Sequence, residues 1–193
     1  MAFSLWSNEE MTIEASSPFN LTFNGQGTHE FMLYFGSPDR SEVAKAKDGG
    51  EIMIMPANQL EQWEPNKYYR EGDIIEPRTA NGLMYKCTQA GTSGKDEPNW
   101  DTSLLGRENN SGTAKFLNYG NKFIQADVQI ALAKQKLNST VGGAAVSLGE
   151  EILGGSPIAL YFRVTNRYSR VRSDASDPCI FLATNELTVT KEL

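Results

Sequence analysis

A chain of 193 residues with a net charge of −6 is long enough to bury a real core. Its acidity argues against non-specific binding to nucleic acid or to an anionic membrane surface. No segment approaches the ~20 consecutive apolar residues that span a bilayer, and the first residues lack the basic start and apolar run of a secretory signal, so membrane insertion is not expected.

Residues 1–10 read as an N-terminal arm. Phe3, Leu5 and Trp6 are apolar, and Ser7-Asn8-Glu9-Glu10 ends the run. Such an arm is either tucked onto the body or offered to a neighbouring molecule. From Met11 the texture becomes strand and turn. Residues 11–15 and 19–23 alternate, 24–27 form a turn, and 30–35 are a β-rich run stopped by Gly36-Ser37-Pro38-Asp39. Residues 41–46 read as a polar link able to hold one helical turn. Residues 51–55 are a further strand, which Pro56 is expected to stop. Short strands at close spacing, without a sustained helical period, indicate an antiparallel sandwich.

Residues 63–100 differ from everything around them. They hold two Trp and three Tyr but few aliphatic residues, so aromatic rings must supply most of the packing. Glu71-Gly72-Asp73 reads as a turn, Ile74-Ile75 as a strand, Asn81-Gly82 as a two-residue hairpin and residues 83–88 as the returning strand. A loop through Gly91-Thr92-Ser93-Gly94 leads to Glu97-Pro98-Asn99-Trp100. This order of Trp63, Tyr68, Tyr69, Gly72-Asp73, Gly82, Tyr85, Gly91-Thr92-Ser93-Gly94 and Pro98-Asn99-Trp100 resembles the small chitin-binding-like modules of chitinases. It is more similar to the variant carried inside bacteriophage tail and virion proteins. The resemblance implies that exposed rings of Trp63, Tyr68, Tyr69 and Trp100 stack on sugars. The competing reading is that a unit so poor in aliphatics uses the same rings, Tyr85 and Trp100 above all, as its own core.

After this insert the β texture resumes. Residues 104–112 read as a polar link and 123–132 as a strand, with a helix over 131–137 as the alternative. Residues 144–148, 158–164, 178–183 and 187–190 complete the set. The layout expected is a body of 11–60 plus 111–193, interrupted by a module at 61–110. The order of Leu33-Tyr34-Phe35-Gly36-Ser37-Pro38-Asp39, residues 145–149, Ile152-Leu153-Gly154-Gly155 and Arg163-Val164-Thr165 resembles tailed-phage virion proteins with an immunoglobulin-like body. That resemblance implies an all-β, antiparallel immunoglobulin-like β-sandwich.

Chemistry is hard to find. The one histidine, His29, reads as lying in a turn before a strand and has no nucleophile motif pointing at it. Glycoside hydrolysis needs two carboxylates facing one substrate, whereas Asp96-Glu97 and Glu150-Glu151 are adjacent pairs that read as solvated charges. Cys87, Cys179 and His29 have no metal-ligand spacing, and two distant cysteines suit assembly in a reducing cytosol better than a secreted disulfide framework. No enzyme activity, cofactor or metal is expected. Arg163, Arg167, Arg170 and Arg172 form the one local basic region, either a docking surface for an acidic neighbour or a solvated hairpin.

The function expected from these readings is structural: a tailed-phage virion protein that decorates the capsid or sits in the tail or collar. It would be assembled in the host bacterial cytoplasm. Its partners would be other virion subunits and copies of itself, with polysaccharide as a further candidate through the module. The rival expectation is a dedicated carbohydrate-binding protein for host adhesion.

Overall fold

In the computed structural model, residues 3–15, 19–20, 26–57, 60–103, 106–167 and 179–191 are described. The chain divides into two compact units, one built within residues 1–58, 124–169 and 180–193 and the other chiefly within 59–123. The second unit therefore runs past residue 110, where the module was expected to end.

The strands of the first unit's opening stretch are β1 (Ser4–Trp6), β2 (Phe19–Asn20), β3 (Gly27–Gly36), β4 (Glu42–Ala46) and β5 (Met53–Ala57). The second unit holds β6 (Glu61–Gln62), β7 (Tyr68–Tyr69), β8 (Ile74–Glu76), β9 (Leu83–Gln89), β10 (Gly91–Thr92), β11 (Asn109–Ser111) and β12 (Ala114–Asn121). The chain then returns through β13 (Val128–Ala131), β14 (Val146–Ser147), β15 (Glu151–Leu153), β16 (Ile158–Asn166), β17 (Cys179–Thr184) and β18 (Leu187–Lys191). Two short 3-10 turns, Gln125–Asp127 and Lys134–Ser139, flank β13.

The fold is all-β and built of antiparallel sheets, as the alternation demanded. In the body one sheet runs β1-β3-β16-β13, a second β14-β5-β17-β2 and a third β15-β4-β18. The β3–β16 pair is its spine, in register from Ile158↔Phe35 to Asn166↔Gly27. Strand alternation sends Leu33, Phe35, Leu160, Phe162 and Val164 to one face, where all are buried. Val128 and Ile130 of β13 join them, and Ile54 of β5 and Ile180 of β17 supply buried residues from the second sheet. Each fully buried Leu, Ile or Phe of this layer contributes about 1.5–3 kcal/mol of transfer free energy.

Several expectations fail here for identifiable reasons. Residues 42–46 form no helical turn: β4 is the central strand of its sheet, between β15 and β18. Cross-strand pairing outweighs the helical preference of Ala and Lys. Pro56 lies inside β5 opposite Leu182 rather than ending it. The partner β14 covers only Met53 and Ile54, so among the described residues one side of the strand is without a ladder where proline's missing N–H would matter. His29 lies within β3 opposite Val164, not in a turn before it. Residues 123–132 begin as a 3-10 turn before the strand Val128–Ala131, and 134–139 form a 3-10 turn instead of an α-helix.

The arm is part of the body. Ser4, Leu5 and Trp6 pair with Gly36, Phe35 and Tyr34, and the Trp6 indole donates to the Gly36 carbonyl at 2.9 Å. Phe3 meets the Phe35 ring at 6.2 Å, and Leu5 enters a cavity with Phe35, Ile54, Ile180 and Leu182. The sequence left open whether this segment is tucked in or offered out; it is tucked in.

The second unit holds one five-stranded sheet, β11-β12-β9-β8-β6, and a separate two-stranded sheet, β10-β7. β6 and β8 run parallel and the other pairs are antiparallel. The connection from β8 to β9 spans residues 77–82, so Asn81-Gly82 is not a two-residue hairpin. Asn81 works from its side chain instead, accepting from the Leu83 N–H at 3.0 Å.

Candidate functional site

The module's aromatic residues sort by strand parity. On β7, Tyr69 points in and is 1% exposed, while Tyr68 points out and is 62% exposed. Trp63 and Tyr85 are fully buried, and Trp100 is partly buried. Phe116 joins the rings: Tyr69 meets it edge-on at 5.2 Å, Trp100 meets it edge-on at 5.7 Å, and Trp100 lies 4.4 Å from Tyr85. Such edge and tilted contacts suit the ring quadrupoles and contribute about 0.5–1.5 kcal/mol each beyond buried area.

Every polar tip of this core is satisfied. The Trp63 indole donates to Ser111 Oγ at 3.1 Å, and the Tyr69 hydroxyl accepts from the Glu64 N–H at 2.7 Å. Tyr85 Oη accepts from Asn81 Nδ2 at 2.9 Å and donates to the Asp101 carbonyl at 3.3 Å. The Trp100 indole donates to Glu97 Oε1 at 2.9 Å. Burial raises the phenol pKa of both Tyr69 and Tyr85, and it raises the thiol pKa of Cys87, which is free and buried in the same core. Cys87 is therefore an inert packing residue.

Gly91 and Ser93 of the motif that carries the resemblance, together with Gly112 and Glu97 outside it, hold this unit together. Ser93 is 4% exposed; its hydroxyl donates to the Glu64 carbonyl at 2.6 Å and accepts from the Lys67 N–H at 3.0 Å. Gly91 lies so close to Thr113 that a Cβ would fall 2.5 Å from its backbone carbon. Gly112, at φ +61°, would drive a Cβ into the Thr92 carbonyl oxygen. Glycine is required there by both conformation and space. Glu97 Oε1 accepts from the Arg78 N–H at 2.8 Å as well as from Trp100. Glu97 is thus a structural bracket, not the solvated charge its neighbour Asp96 suggested.

For the expected sugar platform, the placement is decisive ring by ring. Trp63 and Tyr69 have no face to offer, because the unit's scarcity of aliphatic residues draws them inward. Tyr68 stands free, and Trp100 reaches solvent only in part.

The basic region is also largely committed. Arg163 pairs with Glu30 at 2.7 Å and donates to Asn138 Oδ1 at 2.9 Å, and Arg167 pairs with the buried Asp127 at 2.7 Å. Neither is a spare cation for an acidic neighbour. Arg170 and Arg172 lie outside the described residues. Among the described residues no group of three His, Cys, Asp or Glu is gathered as metal ligands.

Sequence reasoning missed a feature of the body. On the face of the β3–β16 pair opposite the core, Met32, Tyr34, Ala159 and Tyr161 are neighbours, since Met32 opposes Tyr161 and Tyr34 opposes Ala159. The alternation of residues 30–35 and 158–164 contained the signal, but it does not say which residues outside the core are covered.

The fold and these sites define a β-sandwich body joined to an aromatic-cored β module. Comparisons with protein-family models, with curated proteins and with solved structures return no match.

Proposed function

We propose that this chain is a structural component of a tailed-phage virion, as capsid decoration or as a tail or collar subunit, and that it acts by binding rather than by catalysis. The body provides the immunoglobulin-like scaffold that contacts other virion subunits and further copies of the chain. One observation carries the reading: Gly91, Ser93 and Trp100 of the phage-type module motif each have a definite task in a self-consistent unit. Ser93 ties two loops, Gly91 permits the close approach of Thr113, and Trp100 closes the core with its indole held by Glu97. A chance match of turn residues would leave these side chains without such roles.

A non-enzymatic role is supported by the way the module spends its acids. Glu97 holds backbone and indole donors, Asp101 caps the Ser103 and Arg107 N–H groups, and Glu76 is paired with Lys122.

Co-sedimentation tests the proposal. A tagged copy expressed during infection should band with intact particles in a density gradient. A tagged copy that stays at the top of the gradient, with normal particles below it, overturns the reading.

A further inference from the structure

The outer face of the β1-β3-β16-β13 sheet forms a trough. Along one side, the segment after β1 folds back over the face: Met11 is buried, and its sulfur sits against Gly36, where a Cβ would lie 2.8 Å from it. This places the Ser7–Glu10 turn beside Tyr34, whose phenol pKa is raised by burial and then by the Glu9 carboxylate, Tyr161 and Glu10. Along the other side, the 134–139 turn lies over β13. Gln129 Nε2 donates to the Leu137 carbonyl at 3.1 Å, Arg163 donates to Asn138, and Leu137 is buried.

Between these raised sides, the floor is Tyr34, Met32, Tyr161 and Ala159. Met32 is 37% exposed, and both tyrosines are half-buried. Beside Tyr161 the floor deepens into a cavity of about 260 Å³, walled by Met32, Leu137, Glu30 and Lys134.

From this geometry we propose that the trough binds a neutral polysaccharide strand, laid across Tyr34 and Tyr161. Pyranose rings present CH-rich faces that stack on aromatic rings, and their hydroxyls seek polar groups at the rim. Both are here: two tyrosine rings on the floor, and carboxylate and ammonium groups on the walls. The charges select against other occupants. Glu9 and Glu10 make one wall acidic, and on the other Arg163 and Lys134 share Glu30 at 2.7 and 3.5 Å, with Lys136 exposed on the same turn. A polyanion would meet repulsion from the Glu9 and Glu10 wall. An extended peptide would gain no ladder, because the floor is the face of a sheet and its backbone groups are engaged in the β3–β16 pairing.

Affinity electrophoresis of the full chain tests this, using native gels cast with hydroxyethyl cellulose, with glycol chitin, or with anionic alginate as control. The wild-type protein should be retarded by at least one of the two neutral polymers and not by alginate. Tyr34→Ala with Tyr161→Ala should weaken retardation about tenfold, the equivalent of roughly 1.4 kcal/mol. Met32→Glu, at an exposed floor position that tolerates a polar side chain, should do the same without touching the core. Tyr68→Ala should leave retardation unchanged, which separates the trough from the module. No retardation of wild type by either neutral polymer overturns the proposal. So does retardation that survives Met32→Glu, or that is lost with Tyr68→Ala instead.

Discussion

Glu97 Oε1 accepts two hydrogen bonds at once, from the Trp100 indole at 2.9 Å and from the Arg78 backbone N–H at 2.8 Å. One carboxylate oxygen thereby fixes the ring that closes the module's core and the loop that follows β8. Glu97→Ala should leave both donors without their partner and cost about 1–3 kcal/mol in urea denaturation. Glu97→Gln keeps an acceptor and should recover most of the loss. Equal stability of the two variants would show that the oxygen is not what matters.

Trp63 is a core residue, so its truncation is expected to act on folding. Trp63→Ala should destabilise the module by about 3–5 kcal/mol, in the range for large aromatic truncations. Tyr68→Ala, at the neighbouring exposed position, should change stability by less than about 0.5 kcal/mol. Thermal unfolding of the two variants against wild type checks the contrast.

Two of the glycines with left-handed φ, Gly112 and Gly82, make a second contrast. Gly82→Ala would pay for its backbone at φ +78° but has open space around the new methyl group. Gly112→Ala would add a collision with the Thr92 carbonyl to a similar strain at φ +61°. The Gly112 variant should therefore be much the less stable, with Gly82→Ala losing only about 1 kcal/mol. Equal losses would mean the GTSG loop can move aside.

Acid should loosen the body through Asp39. Its carboxyl is held well below the ordinary aspartate range, first by Lys191, then by the Ser41 hydroxyl and backbone N–H. A folded-state pKa below the unfolded one stabilises above the unfolded value of about 3.9, and the contribution is lost as pH falls further. Melting temperature should thus decline below about pH 4, and Asp39→Asn should flatten that decline. The Glu30, Asp101 and Glu108 carboxyls are lowered too, so part of the acid slope should persist.

Much of the architecture could be read from residues alone, because strand alternation at 27–36, 83–89 and 158–166 leaves one face apolar. What could not be read has physical causes. Glu-Val-Ala-Lys-Ala at 42–46 is poor in β-preferring residues and becomes a strand only through its partners β15 and β18. The pair Tyr68-Tyr69 must split between inside and outside, yet nothing local says which ring goes in. Ala114–Asn121 falls inside the expected body, where the sequence assigns no strand, although its buried Ala114, Phe116 and Asn118 complete the module's sheet against β9. In the body, Gly154 and Gly155 donate their N–H groups to the carbonyls of Glu42 and Ser37, each at 2.7 Å. Two short motifs that resembled phage proteins far apart in the chain thus meet in space.

Quantitative mass spectrometry of purified particles tests a virion role most directly. The chain should be present at a copy number that matches a symmetry of the capsid, tail or collar. Its absence from washed particles, while abundant in the infected lysate, would contradict that role.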